Sequence, residues 1–382
     1  MTADASAVDT LAVAAAIRDA RSTRTSLRIV GGGTWLDAGR PVRADGTLTL
    51  SSLRGVTQYE PGDFTLTARA GTSLGEIADV AGREGQWLTL QPHGSLDGTI
   101  GATIATASWG PLASAYGTPR DHLLGCEVVT GVGEVVRAGG RVVKNVAGFD
   151  LSRLMTGAWG TLGVLTEVTV RLRARPEVDR TLAVALNDAR ACDDAVRWLR
   201  ATPYRPLAGE LCSPAMSDRI GLERSTLLLV RLGGNEPLVR AAERAVTELG
   251  TTVDVDAAVW ARLSASEPVG AAVVRLGALP TELGTLWARV TRTVADGGGA
   301  SHATIARGVV RCILPARTSE EISALQGMMR ELHAPGSRIG ERLPHEEWDE
   351  MPSSIGDALS SEVYRTFDPD RVLNPGILGS TA

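Results

Sequence analysis

The chain has 382 residues, a hydrophobic fraction of 43%, a charged fraction of 22% and a formal net charge of −5. This length suits two or three domains with a large buried core, and the composition excludes wholesale disorder. The negative net charge argues against binding nucleic acid by phosphate neutralisation, and no apolar run reaches the roughly 18 residues of a membrane helix. The N-terminus, MTADASAVDT, lacks the basic region of a signal peptide. A cytoplasmic protein is therefore expected, one that a partner could hold at the inner face of the cell membrane.

Apolar spacing predicts a helix over 7–21, then a short buried strand over 27–30 (LRIV) that runs straight into Gly31-Gly32-Gly33-Thr34. A strand over 47–50 follows the turn Asp45-Gly46, and the alternation of FTLTARA predicts another over 64–70. GTSLGEIADVAGREG (71–85) reads as a helix starting near Thr72 or Ser73, with Glu76 in its first turn. Residues 91–118 are small, glycine-rich and nearly uncharged, a composition that lets backbone lie flat against something else. Strands follow over 123–130 and 134–139, then a helix, a glycine turn and a strand over 150–172.

Arg173 to Asp179, with Pro176, marks a boundary. Beyond it, strands at 182–186, 225–232, 269–276 and 306–314 alternate with helices at 189–201, 236–250 and 318–333. That rhythm suggests an antiparallel sheet covered by helices. The tail FDPDRVLNPGIL (367–378) reads as a specific turn structure, and neither internal repeats nor low-complexity tracts are evident.

Cys126, Cys192, Cys212 and Cys312 stand far apart and form no C-x-x-C, so they read as buried, reduced thiols rather than zinc or iron–sulfur ligands. The five histidines are scattered, without ligand spacing, and no metal site is expected. Of 43 glycines, 25 precede residue 171, so tight turns and close backbone approaches concentrate there. Lys144 is the one lysine among 39 basic residues, which suggests either a site suited to a compact ammonium or a chance surface position.

A strand ending in G-G-G-T presents successive backbone N–H groups without side chains, a nest for a diphosphate or another anion. Neither G-x-G-x-x-G nor a P-loop occurs, and there is no G-x-S-x-G elbow around Ser108. The nest, the long small-residue stretch, the lone lysine and the second glycine turn Gly160-Thr161-Leu162-Gly163 together describe a groove for a large flat cofactor carrying a diphosphate. A glycine-rich fold without a ligand is the alternative.

RIVGGGT (28–34), the stretch 94–140 and GRVVKNVAGFDLSRLMTGAWGTLGVLTEVTVRL (140–172) resemble the FAD-binding domain of the vanillyl-alcohol oxidase / p-cresol methylhydroxylase (PCMH) superfamily. Within it they resemble the FAD-binding subunits of bacterial glycolate oxidases, and the tail looks like that family's C-terminal return to the flavin. The resemblance implies an α+β fold: a PCMH-type FAD-binding domain over 1–176, a ferredoxin-like α+β cap over 177–360, and a returning tail over 361–382. It implies that Gly31, Gly32, Gly33 and Thr34 cradle the FAD diphosphate. Gly98, Thr99, Gly101, Thr106, Ser108 and Gly117 would line the diphosphate and ribityl path. Gly160 to Val164, Gly163 included, would pass beside the flavin and adenine ends, and Asn374 would approach the isoalloxazine. Lys144 falls in the third motif, either touching the cofactor or fixing its loop.

Relatives with covalent FAD often carry a histidine near the phosphate loop; here that position is Thr34, so non-covalent FAD is expected. Catalytic subunits of the family carry histidine-rich motifs in the cap. The comparable region here has only Arg338-Ile339-Gly340-Glu341-Arg342 and His345, which argues against independent glycolate oxidation. Arg275 and Arg311, on predicted strands, could grip a substrate carboxylate or be exposed ion-pair partners. Trp109 could stack on the flavin or fill the core, and Asp121 and Asp150 read as turn or cap residues. The expected function is that of the FAD-binding subunit of a glycolate oxidase-type complex. Its partners would be a second, catalytic FAD subunit and an iron–sulfur subunit, and the substrate a small 2-hydroxy acid, glycolate or D-lactate. The alternatives are a stand-alone FAD-dependent oxidoreductase and a non-catalytic structural subunit.

Overall fold

The computed structural model describes residues 4–140, 150–331, 337–349 and 351–379. Helix α1 (Thr10–Thr23) starts where the Asp9 side chain accepts from the Ala12 N–H, and buries Val13, Ala14, Ile17 and Ala20. Strands β1 (Leu27–Val30) and β2 (Gly46–Thr49) pair in parallel, and Ala5–Ser6 adds to the far side of β2. Strands β3 (Val56–Glu60), β4 (Thr65–Arg69), β5 (Leu123–Thr130), β6 (Val135–Gly139) and β7 (Gly163–Arg171) form an antiparallel sheet in the order β3-β4-β7-β5-β6. Helices α2 (Leu74–Gly82) and α3 (Ile100–Ala105) are capped by Ser73 and Thr99 and pack Ile77, Ile100 and Ile104 with Leu66, Val168 and Val170 of this sheet. Each such cap contributes about 1 kcal/mol. Asp121 closes a capping box with Thr118, and Asp150 caps Leu151–Met155, the structural roles expected of both.

Gln86–Trp87 and Arg173–Ala174 pair as a small two-stranded sheet, and the strands beyond them form one eight-stranded antiparallel sheet. Its first half is β8 (Val178–Ala185), α4 (Ala189–Ala201), β9 (Ala208–Cys212), β10 (Leu227–Gly234), α5 (Glu236–Thr247) and β11 (Thr252–Val255). Its second half is β12 (Ala272–Gly277), α6 (Leu283–Asp296), β13 (Ala300–Thr304), β14 (Val309–Leu314), α7 (Ser319–Glu331) and β15 (Arg338–Arg342). The strand order is β11-β8-β10-β9-β13-β14-β12-β15. Read outward from the β9–β13 junction, each half runs second, third, first, fourth strand. The cap is therefore two ferredoxin-like β-α-β-β-α-β units joined edge to edge. The sequence shows no repeat because the halves share only the strand–helix rhythm.

Helices α4 to α7 cover one face, where Val196, Val239, Trp287 and Met328 pack with Leu211, Val274 and Cys312 of the strands. The alternate residues, among them Glu210, His302, Arg311 and Arg275, point to the opposite face, as the two-residue period of a strand requires. Part of that face is closed by Met216, Ile220, Trp260 and Leu263 from two short helices.

Helix α8 (Ala358–Phe367) packs Val363, Tyr364 and Phe367 against the first core, away from the cap helices. The tail then lies along β1: the Leu27 N–H donates to the Val372 carbonyl at 2.7 Å, and the Asn374 N–H to the Leu27 carbonyl at 2.9 Å. Asp368 fixes this turn by accepting from the Val372 and Leu373 N–H groups, and burial pushes its carboxyl above the ordinary range. The elements expected from the sequence do not include α6: its apolar residues do fall on one helical face, but its Gly284, three threonines and two valines are weak helix formers. Packing of Leu283, Leu286, Trp287 and Val290 overrides propensity there.

Candidate cofactor groove

Strand β1 delivers Gly31 to Thr34 onto the wall of a narrow channel of about 130 Å³, which Thr99, Gly101, Thr106, Gly160 and Val164 also line. Backbone segments meet closely here. A Cβ on Gly31 would lie 2.6 Å from Thr99 Oγ1, and one on Gly101 would lie 2.6 Å from Ala70 Cβ and 2.8 Å from the Ala70 carbonyl oxygen. Gly33 adopts φ +72°, which turns the chain out of the strand at little cost only because it is glycine. Among the described residues, no protein group accepts from the N–H groups of Gly32, Gly33 and Thr34.

The channel continues at both ends. Past Asn374 and Ile377 it opens into a cleft of about 540 Å³ that reaches Arg40, Arg43 and His345. Past Trp35, Thr106 and Trp159 it opens into a cavity of about 550 Å³ between the two sheets' domains, whose walls include Ser108 and, from the cap, Arg275 and Glu341. The result is one elongated groove with a backbone nest at its centre.

Several expected residues sit elsewhere. Gly98 lies behind Thr34, where its Cβ would come within 3.6 Å of Thr34 Oγ1. Gly117, at φ +92°, ends Ala113–Tyr116 against the Asp121 side chain, and Gly163 allows β7 to approach Val128 of β5. These two serve chain packing and are not on the channel wall. Asn374 is on the wall, but its amide is committed to protein: Oδ1 accepts from the Ile29 N–H and Nδ2 donates to the Trp159 carbonyl, each at 2.8 Å. Lys144 lies outside the described residues.

Trp35 and Trp159 were not singled out from the sequence. Their rings stack with centroids 6.0 Å apart and form the wall shared by the channel and the interface cavity. Trp159 adopts φ +54°, and a Cβ on Gly39 would lie 2.8 Å from its ring. The signal was adjacency, since each directly flanks a glycine motif. Trp109 is half-buried beneath the Arg275 guanidinium at 5.8 Å.

The cap wall is an ion-pair network. Arg275 Nε lies 2.6 Å from Glu341 Oε1, and Arg311 contacts the other Glu341 oxygen. Arg311 also donates to Glu267 at 2.5 Å, and Arg342 reaches Glu267 at 3.3 Å and Asp37 at 3.4 Å. Arg311 is only 4% exposed, so neither expectation for it holds: it is neither an exposed ion-pair partner nor free for a substrate. Burial opposes the charge on Glu341, but Arg311 and Arg275 outweigh it and hold the carboxyl below its ordinary range. Next to the network, His302 Nδ1 lies 2.7 Å from Glu210 Oε2, both buried, and His93 packs on His302 at 5.2 Å. Burial first, then Arg311 and its neighbours, hold His93 well below the ordinary histidine range. No histidine is among the described residues that line the interface cavity.

This groove has the form of a dinucleotide site: an anion nest of free N–H groups with open volume on either side. Residues 3–139 match the family model of the FAD binding domain. Glycolate oxidase subunit GlcE of Escherichia coli (strain K12) is 36% identical over 227 residues, 59% of this chain and 61% of that protein. Glycolate oxidase subunit GlcD of Bacillus subtilis (strain 168) is 30% identical over 240 residues, 60% of this chain and 51% of that protein. The matches thus span between half and two thirds of these relatives' own lengths. A crystal structure of p-cresol methylhydroxylase with substrate bound superposes with a TM-score of 0.77 at 18% identity, covering 100% of this chain and 90% of that one, which shows a shared fold. Residues 3–139 thus carry an FAD-binding domain, which implies FAD as cofactor, within a chain that shares the fold of p-cresol methylhydroxylase.

Proposed function

We propose that this chain is the FAD-binding subunit of a glycolate oxidase-type complex that oxidises a small 2-hydroxy acid, glycolate or D-lactate, to the 2-oxo acid. The observation that carries the reading is the nest at Gly31 to Thr34, continuous with the cavity that both domains line. Gly32, Gly33 and Thr34 would donate backbone N–H groups to the diphosphate, while Thr99 and Gly101 close the opposite wall. Asn374 would hold the Gly160 turn in place from the tail rather than touch the cofactor. Trp35 and Trp159 would shield the inner end of the groove from water. Bound FAD supplies two-electron chemistry, accepting or passing on what a 2-hydroxy acid loses.

The wall of the interface cavity offers no histidine base among the described residues, and this supports a subunit that relays electrons or stabilises an assembly. The partners in this reading are a second flavin subunit that reacts with the acid and an iron–sulfur subunit that carries electrons onward. The four described cysteines are buried and separate, so this chain supplies no thiolate cluster from them. Attachment to the inner face of the cell membrane would run through the partners, since no described helix is long and apolar enough to cross a membrane. A stand-alone dehydrogenase is the second reading, favoured by Arg275 on the cavity wall.

The test is the visible spectrum of the chain alone and with its partner subunits, followed by anaerobic addition of glycolate and D-lactate. A yellow protein that bleaches only with partners is expected. Bleaching of the isolated chain would establish the second reading, and a colourless protein in both preparations would remove both.

A further inference from the structure

Arg275 and Arg311 are direct cross-strand partners on β12 and β14, so two guanidiniums sit side by side on one face of the sheet, Arg275 on the wall of the interface cavity and Arg311 buried beside it. Like charges in that position repel and call for an anion between them. Glu341 supplies it. Its strand is irregular at this point: Val273 pairs with Arg342 and Val274 with Gly340, so Glu341 is the extra residue of a β-bulge. Bulges re-aim side chains, and this one directs a 6% exposed carboxylate onto both guanidiniums, one per oxygen. The bulge is pinned from the cofactor side, where the Gly39 N–H donates to the Glu341 carbonyl at 2.8 Å. Glu267 takes the remaining face of Arg311. The same two-guanidinium clamp is what the carboxylate of a 2-hydroxy acid would need.

We propose that Glu341 is a built-in carboxylate that occupies the Arg275–Arg311 clamp, so that the interface cavity of this chain excludes acid substrates. Glu341 is then the specificity-determining residue of the cavity, and the acid is oxidised elsewhere in the assembly. This rests on the reading above that the cavity is where a substrate would approach the flavin. Arg120, the other described cation on the cavity wall, is exposed at the rim, where solvent screens it.

Oxalate, a dicarboxylate with no 2-hydroxyl to oxidise, is the probe. It is titrated into the FAD-loaded wild type and into Glu341→Gln at constant ionic strength, reading both the melting temperature and the flavin absorption band. Glutamine keeps the shape of Glu341 and removes its charge, which leaves Arg275 without an anion. Glu341→Gln is expected to bind oxalate at least about tenfold more tightly than the wild type and to melt higher with it, while the wild type gives no saturable change. Equal affinities in the two proteins overturn the proposal, as does a folded Glu341→Gln that ignores oxalate. Should Glu341→Gln fail to fold, the wild type decides: saturable oxalate binding that Arg275→Gln abolishes overturns the proposal, and its absence upholds it. The melting readout does not need flavin. A colourless protein that still shows the oxalate difference would sink the flavoprotein reading and leave the Glu341 clamp standing.

Discussion

Gly32→Val separates cofactor binding from folding more cleanly than its neighbours would. A Cβ on Gly31 would strike Thr99 Oγ1, which caps α3, so a side chain there damages fold and cradle together. Gly33 sits at φ +72°, where any side chain adds backbone strain. A Cβ on Gly32 meets the Asp97 carbonyl oxygen at 3.1 Å and Thr99 Cγ2 at 3.2 Å, contacts relieved by shifts of a few tenths of an ångström. Overpacking of that size costs about 1 kcal/mol of stability, the low end of its range. The branched side chain, however, stands between β1 and the Asp97–Thr99 turn, in the gap the diphosphate would use. Losing two charge-assisted backbone hydrogen bonds, at about 1.5–3 kcal/mol each, removes about 3–6 kcal/mol of binding, a rise in Kd of about 10²- to 10⁴-fold. Two measurements test this: the flavin-to-protein ratio of the purified variant, and FAD titration of the apoproteins alongside their urea midpoints. An apo Gly32→Val as stable as the wild type to within about 1 kcal/mol, yet purified colourless, is the expected result. A variant that retains stoichiometric FAD with unchanged affinity would refute the nest.

Three further outcomes follow from the geometry. Arg311→Met strands Glu267 and Glu341 in a buried setting and should destabilise the chain by about 3–5 kcal/mol in urea unfolding, whereas a surface-like cost below about 1 kcal/mol would show the network to be solvent-screened. Asn374→Gly keeps the left-handed backbone at φ +43° but leaves the Ile29 N–H and the Trp159 carbonyl without the amide, which should cost about 2 kcal/mol by the same assay. His93, held neutral mainly by burial and then by Arg311, protonates less readily folded than unfolded. Its contribution is complete above the unfolded value of about 6.5 and is lost below it at up to about 1.4 kcal/mol per pH unit. His93→Gln should flatten that part of the stability–pH curve, and an unchanged slope would show that His93 is not the group responsible.

Much of the first domain was legible because its elements carry strong local signals. The predicted strand over 123–130 coincides with β5, and the start near Ser73 coincides with the Ser73 cap. Helix 189–201 of the cap was equally clear because its apolar residues fall on one face. G-G-G-T directly after a strand was a weak signal by itself, since such runs also form loops, and it pointed to a cofactor groove only together with the small-residue stretch and the second glycine turn. What stayed hidden depends on pairing between distant residues. Periodicity at Arg275 and Arg311 shows arginines on strands, and only the register of β12, β14 and the bulge in β15 shows that Glu341 comes between them. Trp35 and Trp159 are 124 positions apart, and nothing local says that they stack. The doubling of the cap was hidden for the same reason, since strand order is a property of pairing and not of composition.

Residues 31–40 draw these pieces into one mechanical unit. Their first part, Gly31 to Thr34, forms the nest, and Trp35 stacks on Trp159 while Arg342 of the cap lies over its ring at 5.6 Å. Asp37 pairs with the same Arg342, and the Gly39 N–H holds the bulge that aims Glu341. Arg40 donates through its backbone to the Ile377 carbonyl of the tail and through its side chain to the Trp348 carbonyl at 2.7 Å. One ten-residue segment thus touches the cofactor channel, the tail and the cap wall. A ligand that binds its N–H groups stabilises the folded segment by mass action, and that stabilisation is delivered to contacts made by both domains. Cofactor retention and cap docking are therefore properties of the same loop, and a change in either, whether from an altered cradle or an opened Arg275–Glu341 pair, is felt by the other.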